Sequence, residues 1–433
     1  MTNPWTVTPS LTGLSGMVGG GGTPPEPPAV NATIQWNTAK TAGSNTNTLQ
    51  IKLPLINTGT YNFQIFWGDG SNSTVTAWDD ACTTHTYANS GVYNTTIIGN
   101  GTLKGFTFQA ASVSTDRKKI IDVSSWGPIE LGNGGTGTAR GQHFEACSNM
   151  KITATDAPNL TNTTSGFQMF YQCGALDANT DLSAWDVSTL INTKEMFAQV
   201  PMTGNSLANW NLGNVTDFNG MFKLSDYGGD ISGWDVHKGV NFQDMFNGNV
   251  SQNSDLSDWS MSNATSLSGM FLTSSFNNNI NTWDVSKVTT FFNMFSSGAF
   301  NQPISGWSTA CATTFQGMFQ NNGNFNQPVN TLNTSKITNM TNMFSGASTF
   351  DQPCDFNDIS KVTFVGFNGF AKNSGMSPTN YDKTLNKWAN SSPVANAILV
   401  RFDPTKYTAA GAAAREYLVN TKGWTITDGG LEV

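Results

Sequence analysis

A two-residue marker organises this chain. Met-Phe doublets stand at 169–170, 196–197, 221–222, 245–246, 270–271, 294–295, 318–319 and 343–344, so successive phenylalanines are 27, 25, 24, 25, 24, 24 and 25 residues apart. A second marker keeps phase with the first: Trp185, Trp210, Trp234, Trp259, Trp283 and Trp307 each lie 12 residues before the Phe of a doublet, and Leu332 takes that place before Phe344. A unit of 24 or 25 residues cannot bury its own apolar face. Copies must therefore stack, with like residues forming ladders along the stack. Nine or so rungs, each about 4.8 Å from the next, predict a rod on the order of 40 Å long.

The consensus is I-S-x-W-D-V-S-x-V-T-x-F-x-x-M-F, then a variable polar stretch, then F-N-Q-P-I in the best copies, Phe300–Ile304 and Phe325–Val329. Apolar positions alternate through W-D-V and V-T-x-F, which predicts a short strand, while Asn, Gly, Ser and Pro fill the rest as turns. This pattern resembles the BspA-like leucine-rich-repeat surface proteins of bacteria, whose repeats carry a W-D-V-S-x-V-T-x-M-x-x-M-F signature. SSWGPI (124–129), HFEACSNM (143–150) and ATDAPNLTNTTSGFQMFYQC (154–173) follow that family's entry rungs, with Phe144 standing 26 residues before Phe170. Pro201-Met202, Leu332 and the off-register Gly369-Phe370 depart from the pattern and put the regularity of individual rungs in question. The resemblance implies a solenoid with a role in surface display and adhesion, and members often combine it with PKD-like modules.

Only 12% of the 433 residues are charged, and the polar surplus is Asn, Thr, Ser and Gly, which favour turns and short strands over long helices. A net charge of -8 and a pI near 4.8 exclude nucleic acid or an anionic membrane as the main partner, since both require concentrated Lys and Arg. No segment is long enough to span a bilayer, so no membrane insertion is expected. Before Lys40 there is no Lys or Arg, and Leu11–Val18 is broken by glycine and serine. Read as starting at a natural Met1, the chain is expected not to leave the cell by a conventional secretory signal.

Residues 1–30 form a Gly/Pro-rich arm, in which GGGGTPPEPP (19–28) joins a flexible run to a stiff one and cannot pack a core. Residues 31–110 read as a small β-sandwich, with alternating runs at Leu49–Leu53, Tyr61–Trp67 and Val92–Ile98 bounded by turn residues. Within them FWGDGS (66–71), followed by HTYANSGVYN (85–94), resembles the PKD domain, an immunoglobulin-like spacer or weak binding module. Asp69-Gly70 supplies a tight turn, and Tyr87 and Tyr93 offer core bodies with anchoring hydroxyls. Residues 111–377 hold the repeats. Residues 378–433 change texture: Ser377 and Thr408 are N-cap candidates for two helices, Gly423 is a stop, and Ala397–Phe402 between the helices is a strand. The fold class is thus mainly β: a PKD/immunoglobulin-like sandwich, then a leucine-rich-repeat-like β-solenoid with a small α/β C-terminal cap.

No catalytic, cofactor-binding or metal residue is assigned. His85, His143 and His237 stand in three different contexts without a second ligand at helical or hairpin spacing. The Trp ladder could stack on carbohydrate but begins an alternating apolar run, and is read as core. Asp186, Asp235, Asp284 and Asp358 share their phase with Asn211, Ser260, Ser308 and Asn333, so turn capping is preferred to calcium. Off-consensus carboxylates such as Asp226, Asp230, Asp255 and Asp258 could include a glycosidase pair only at the right separation. Of the five cysteines, Cys147 and Cys173 follow Phe144 and Phe170 by three residues and should sit on adjacent rungs, where a disulfide is geometrically allowed and two buried thiols are preferred.

The functional expectation is a non-enzymatic structural and adhesion protein on a virion surface, a phage decoration or fibre-type protein. Residues 1–30 would attach it to other virion proteins, and the solenoid would face a glycan or protein receptor on the host. The variable stretches Lys223–Asp230 and Asn247–Asp255 would read that receptor, and a homo-oligomer is compatible. The alternative is a bacterial cell-surface adhesin, and the third reading is a polysaccharide-degrading spike.

Overall fold

The computed structural model describes residues 30–40, 47–108, 116–134, 141–204, 206–391 and 394–432. The arm expected at 1–30 lies, up to residue 29, outside the described residues. The described chain is mainly β, and α-helix is confined to its C-terminal part.

Ten strands come first: β1 (Ala32–Asn37), β2 (Gln50–Lys52), β3 (Leu55–Phe66), β4 (Asn72–Val75), β5 (Thr84–Thr86), β6 (Val92–Ile97), β7 (Thr102–Phe106), β8 (Ile120–Ser125), β9 (Ile129–Glu130) and β10 (Lys151–Ile152). They pair in the order β10-β8-β1-β6-β3-β7-β9, with β4 also on β3, while β2 and β5 make a separate pair. Period-two alternation decides the inward face: Ala32, Ile34 and Trp36 on β1 and Tyr61, Phe63 and Ile65 on β3 are buried between more exposed neighbours. β8 lies beyond residue 110 yet pairs antiparallel with β1, and parallel pairs add β10 to β8 and β9 to β7. The first rungs therefore grow directly from the N-terminal strands. One hydrophobic core runs from Ala32 to Trp424.

Through the repeats the expected strand shrinks to single bridging residues. Ser165, Asn192, Asp217, Asn241, Ser266, Thr290, Thr314 and Asn339 bridge in parallel, each to its counterpart one rung on. The cause is local. In the best-formed repeat the Met294 amide donates to the Phe291 carbonyl at 3.2 Å, and Asn293 between them has φ 52°. A residue of positive φ in the third place of such a turn ends the alternation on which a strand depends. Past the turn the ladder resumes: the amides of Phe170, Phe222 and Phe295 donate at 2.9 Å to the carbonyls of Met196, Met245 and Met318 in the following rung.

Side chains follow the same columns. The rings of Phe144, Phe170, Phe197, Phe222, Phe246, Phe271, Phe295, Phe319 and Phe344 stack with centroids 5.4–5.8 Å apart and planes within 17°. Phe370, off register in sequence, extends this column with its ring turned 89°. The indole N–H groups of Trp210, Trp234, Trp259, Trp283 and Trp307 donate at 2.8–3.1 Å to a Leu or Ile carbonyl of the preceding rung. Leu332 fills the same buried place without that bond.

At the C-terminal end come α1 (Pro378–Ala389), β11 (Leu399–Arg401), α2 (Ala409–Glu416) and β12 (Thr425–Thr427). Ser377 caps α1 by accepting from the Asn380 amide, and Thr408 caps α2 by accepting from the Ala410 amide. Tyr417–Thr421 form a wider turn after α2, and Gly423, at φ 69°, reverses the chain into β12. β12 pairs in parallel with β11, and Val400 of β11 bridges to Phe367, so the rung ladder continues into this unit.

Candidate functional site

The most repetitive side chains are spent on joining rungs. All six marker tryptophans are at most 4% exposed, so their rings are core and offer no stacking stripe to a carbohydrate. In the F-N-Q-P stretches, the side-chain oxygens of Asn277, Asn301, Asn326 and Asp351 accept from the amides of Asn301, Asn326, Asp351 and Ser377 at 2.8, 3.0, 2.9 and 2.7 Å. That ladder ends on the N-cap residue of α1.

The carboxylates singled out in the sequence do local work. Asp186, Asp235, Asp284 and Asp358 accept from the backbone amide two residues on at 2.8–3.1 Å, as Asn211 and Asn333 do in their rungs. Hydrogen bonds from Ser188, His237 and Ser286 hold Asp186, Asp235 and Asp284 below the usual carboxylate range. Asp230 and Asp255 make the same turn with Ser232 and Ser257, and bonds from those serines lower both carboxyls. A glycosidase acid needs a raised value, so neither suits that role. Asp226 and Asp258 are exposed. Among the described residues no group of three or more His, Cys, Asp or Glu could hold a metal ion.

The histidines are dispersed. His85 Nε2 lies 2.7 Å from Asp69 Oδ2, and its ring stacks on Trp67 with centroids 4.8 Å apart. Burial raises the Asp69 carboxyl, but bonds from Ser71 and His85 outweigh it and hold the pKa at about 2. His143 is buried with Nε2 2.9 Å from the Gly132 carbonyl oxygen, and burial pushes it down to about 4. His237 contacts Asp235 at the surface. Cys147 and Cys173 are free and buried, with the Cys173 thiol donating to the Phe144 carbonyl at 3.0 Å. Burial raises both thiols.

The stretches expected to read a receptor are half core. Tyr227 stacks on Phe222 at 4.9 Å, the Asn249 amide donates to the Tyr227 carbonyl, and Gln252 donates to Gly229. Leu224, Asp226 and Val250 face outward from them.

Two further columns escape the consensus. The first is an exposed threonine ladder: the hydroxyls of Thr265, Thr289, Thr313, Thr338 and Thr363 donate to the carbonyl of the same position one rung earlier at 3.1–3.3 Å. The second is the positive-φ column two residues before the marker Phe, held by Gln142 and Gln168 and then in turn by Glu195, Gly220, Asp244, Gly269, Asn293, Gly317 and Asn342, with Gly369, one residue before Phe370, continuing it. From Glu195 onward large and small alternate, and each large side chain lies over the glycine of the next rung. From Glu195 onward the period is therefore two rungs, with Asp244, Asn293 and Asn342 spaced 49 residues apart. The signal was in the sequence as glycine at every second M-F minus two position.

A family model described as "Mycoplasma protein of unknown function, DUF285" matches residues 140–227, 201–299 and 273–388. No curated protein and no solved structure matches the chain. No helix among the described residues is long and apolar enough to cross a membrane.

Proposed function

The chain belongs to this family, whose description assigns no function, and from that premise we propose a non-enzymatic structural and adhesion protein built to display its outward faces. The carrying observation is that the strongly repeated Trp, Phe and Asn side chains are consumed between rungs, leaving variable positions to meet a partner. We read the repeats of 111–377 as a BspA-like leucine-rich-repeat solenoid, supported by the parallel bridges at rung spacing. Residues 31–110 are read as a PKD-like module, supported by the Asp69–His85 contact at the WGDG turn and the stacked Tyr87–Tyr93 pair. Residues 378–433 act as the cap.

For the place of display we propose a virion surface, with residues 1–30 as the attachment to other virion proteins. The Gly/Pro composition of that arm supports a tether in preference to a core. A bacterial cell surface is the second reading, favoured by a family description that names Mycoplasma. Immunodetection on purified particles and on intact cells separates the two. Strong particle labelling that disappears when residues 1–30 are deleted is expected, and unchanged incorporation without them removes the anchoring role. Incubation with soluble polysaccharides should release no new reducing ends, and release would restore the degrading-spike reading.

A further inference from the structure

We propose that the outward strip of five rungs between Thr265 and Val365 binds an uncharged polysaccharide chain laid along the stack. The proposal rests on the display reading and names what the displayed face takes. Each rung places three residues outside the core here, beginning at the threonine ladder; of these fifteen, eight are exposed and seven half-buried, and none is charged although the protein carries a net charge of -8. The threonine hydroxyls donate inward to the preceding rung, so each donor is already spent on the scaffold. Two aromatic rings stand out of the strip: Phe292 is 38% and Phe364 is 56% exposed, whereas the marker phenylalanines are buried. They are three rungs apart, on the order of 14 Å along the stack. An exposed ring presents its negative face to the C–H groups of a pyranose. Between the two rings, Asn339 Nδ2 donates to Gln316 Oε1 at 2.9 Å, which fixes that amide pair and leaves the Gln316 amide N–H groups as the donors a sugar hydroxyl could use.

Size decides between this occupant and a second copy of the chain. Four intervals of about 4.8 Å and a width of about 10 Å give on the order of 200 Å², far below the roughly 800 Å² each partner of a stable protein complex buries. A narrow extended polymer fits that shape. Charge decides against a polyanion: Lys287, Lys336 and Lys361 border the strip, but Lys287 is tied to Asn263 Oδ1 at 2.8 Å, and Asp284 and Asp358 stand three residues before Lys287 and Lys361.

The test is affinity electrophoresis and calorimetry of the full chain with dextran, laminarin, mannan and linear galactan, against alginate and hyaluronan as anionic polymers. At least one neutral polymer should bind, with affinity unchanged from about 50 mM to about 500 mM salt. The double variant Phe292→Ala, Phe364→Ala should weaken that binding about tenfold or more while still melting cooperatively within a few degrees of the parent, since about half of each ring is already exposed. Val92→Ala and Leu431→Ala, exposed apolar positions outside the strip and outside the variable stretches, should leave it intact. Absence of binding to all four neutral polymers, full binding by the double variant, or binding confined to anionic polymers and abolished by salt would each overturn the proposal. None of these outcomes touches the display reading, which the particle and cell labelling decides separately.

Discussion

At Gly317 two independent constraints meet. Its φ of 62° is a conformation side chains rarely adopt, and a Cβ added there would run into Asn293 Oδ1 from the preceding rung. Gly317→Ala should therefore cost about 1–3 kcal/mol in urea unfolding. Gly323→Ala is the control, because that glycine lies outside the left-handed region and the nearest atom to an added Cβ is Ser348 Oγ at 3.4 Å. It should change stability by less than about 0.5 kcal/mol. Equal effects at the two positions would mean that the alternating column does not constrain the rungs. In the N-terminal strands the sensitive residue is Asp69. Its folded value of about 2 lies below the ordinary 3.8, so ionised Asp69 adds stability that is present above the ordinary value and lost as pH falls from 3.8 towards about 2. Asp69→Asn should be less stable at neutral pH and should lose less stability across that acid window. A wild-type acid slope no steeper than the variant's would show that the Ser71 and His85 bonds do not stabilise the fold.

The element of this fold is a pair of rungs. Asp244 and Asn293 occupy equivalent places 49 residues apart, and Gly269 between them receives the Asp244 carboxylate over its backbone. Excising residues 245–293 keeps the alternation of large and small, because Asp244 then precedes Gly317. Excising residues 245–269 instead sets Asp244 against Asn293. Since stability in a stack is roughly a sum of rung and interface terms, the longer excision is expected to unfold more cooperatively and at higher temperature than the shorter one. The reverse order in calorimetry would reduce the two-rung period to a sequence accident. Legibility differs at this scale for a physical reason. Trp283 and Phe295 repeat in identity because each interior column is filled by a large apolar side chain, a ring everywhere except at Leu332, and both could be found by eye. The turn that cuts short the strand expected at Val288–Phe291 carries no such mark, because positive φ is met by Gly, Asn, Asp, Glu and Gln alike, so the column of Asn293 shares a conformation and no single residue. The strip around Phe292 was hidden for the same reason: threonine there follows from β-branched preference, and the neighbouring position varies.

A stack of this kind has two ends, and each must be closed. At the N-terminal end β9 pairs in parallel with β7, so the first rung continues the sheet of the N-terminal strands and leaves no free ladder edge there. At the C-terminal end the closure is built from several parts. Phe370 turns its ring edge-on to Phe344, Trp388 of α1 stacks on Phe367 at 4.9 Å, and the amides of Ala371 and Asn373 donate to the carbonyls of Arg401 and Asp403 at 3.1 and 2.8 Å. A chain truncated after Gly375 would leave Phe367 and Phe370 uncovered and those two amides without their acceptors. An open ladder edge beside an apolar end is a template for another chain, whose own ladder can supply the missing acceptors. The truncated protein is therefore expected to form oligomers that grow with concentration in light scattering, under conditions where the full chain scatters as one constant species. Replacing only Trp388 by Ala tests which part of the closure matters. If hydrogen-bonded edge protection by β11 dominates, W388A should melt earlier yet scatter like the full chain, whereas growth by W388A would place the protection in the apolar contact with Phe367.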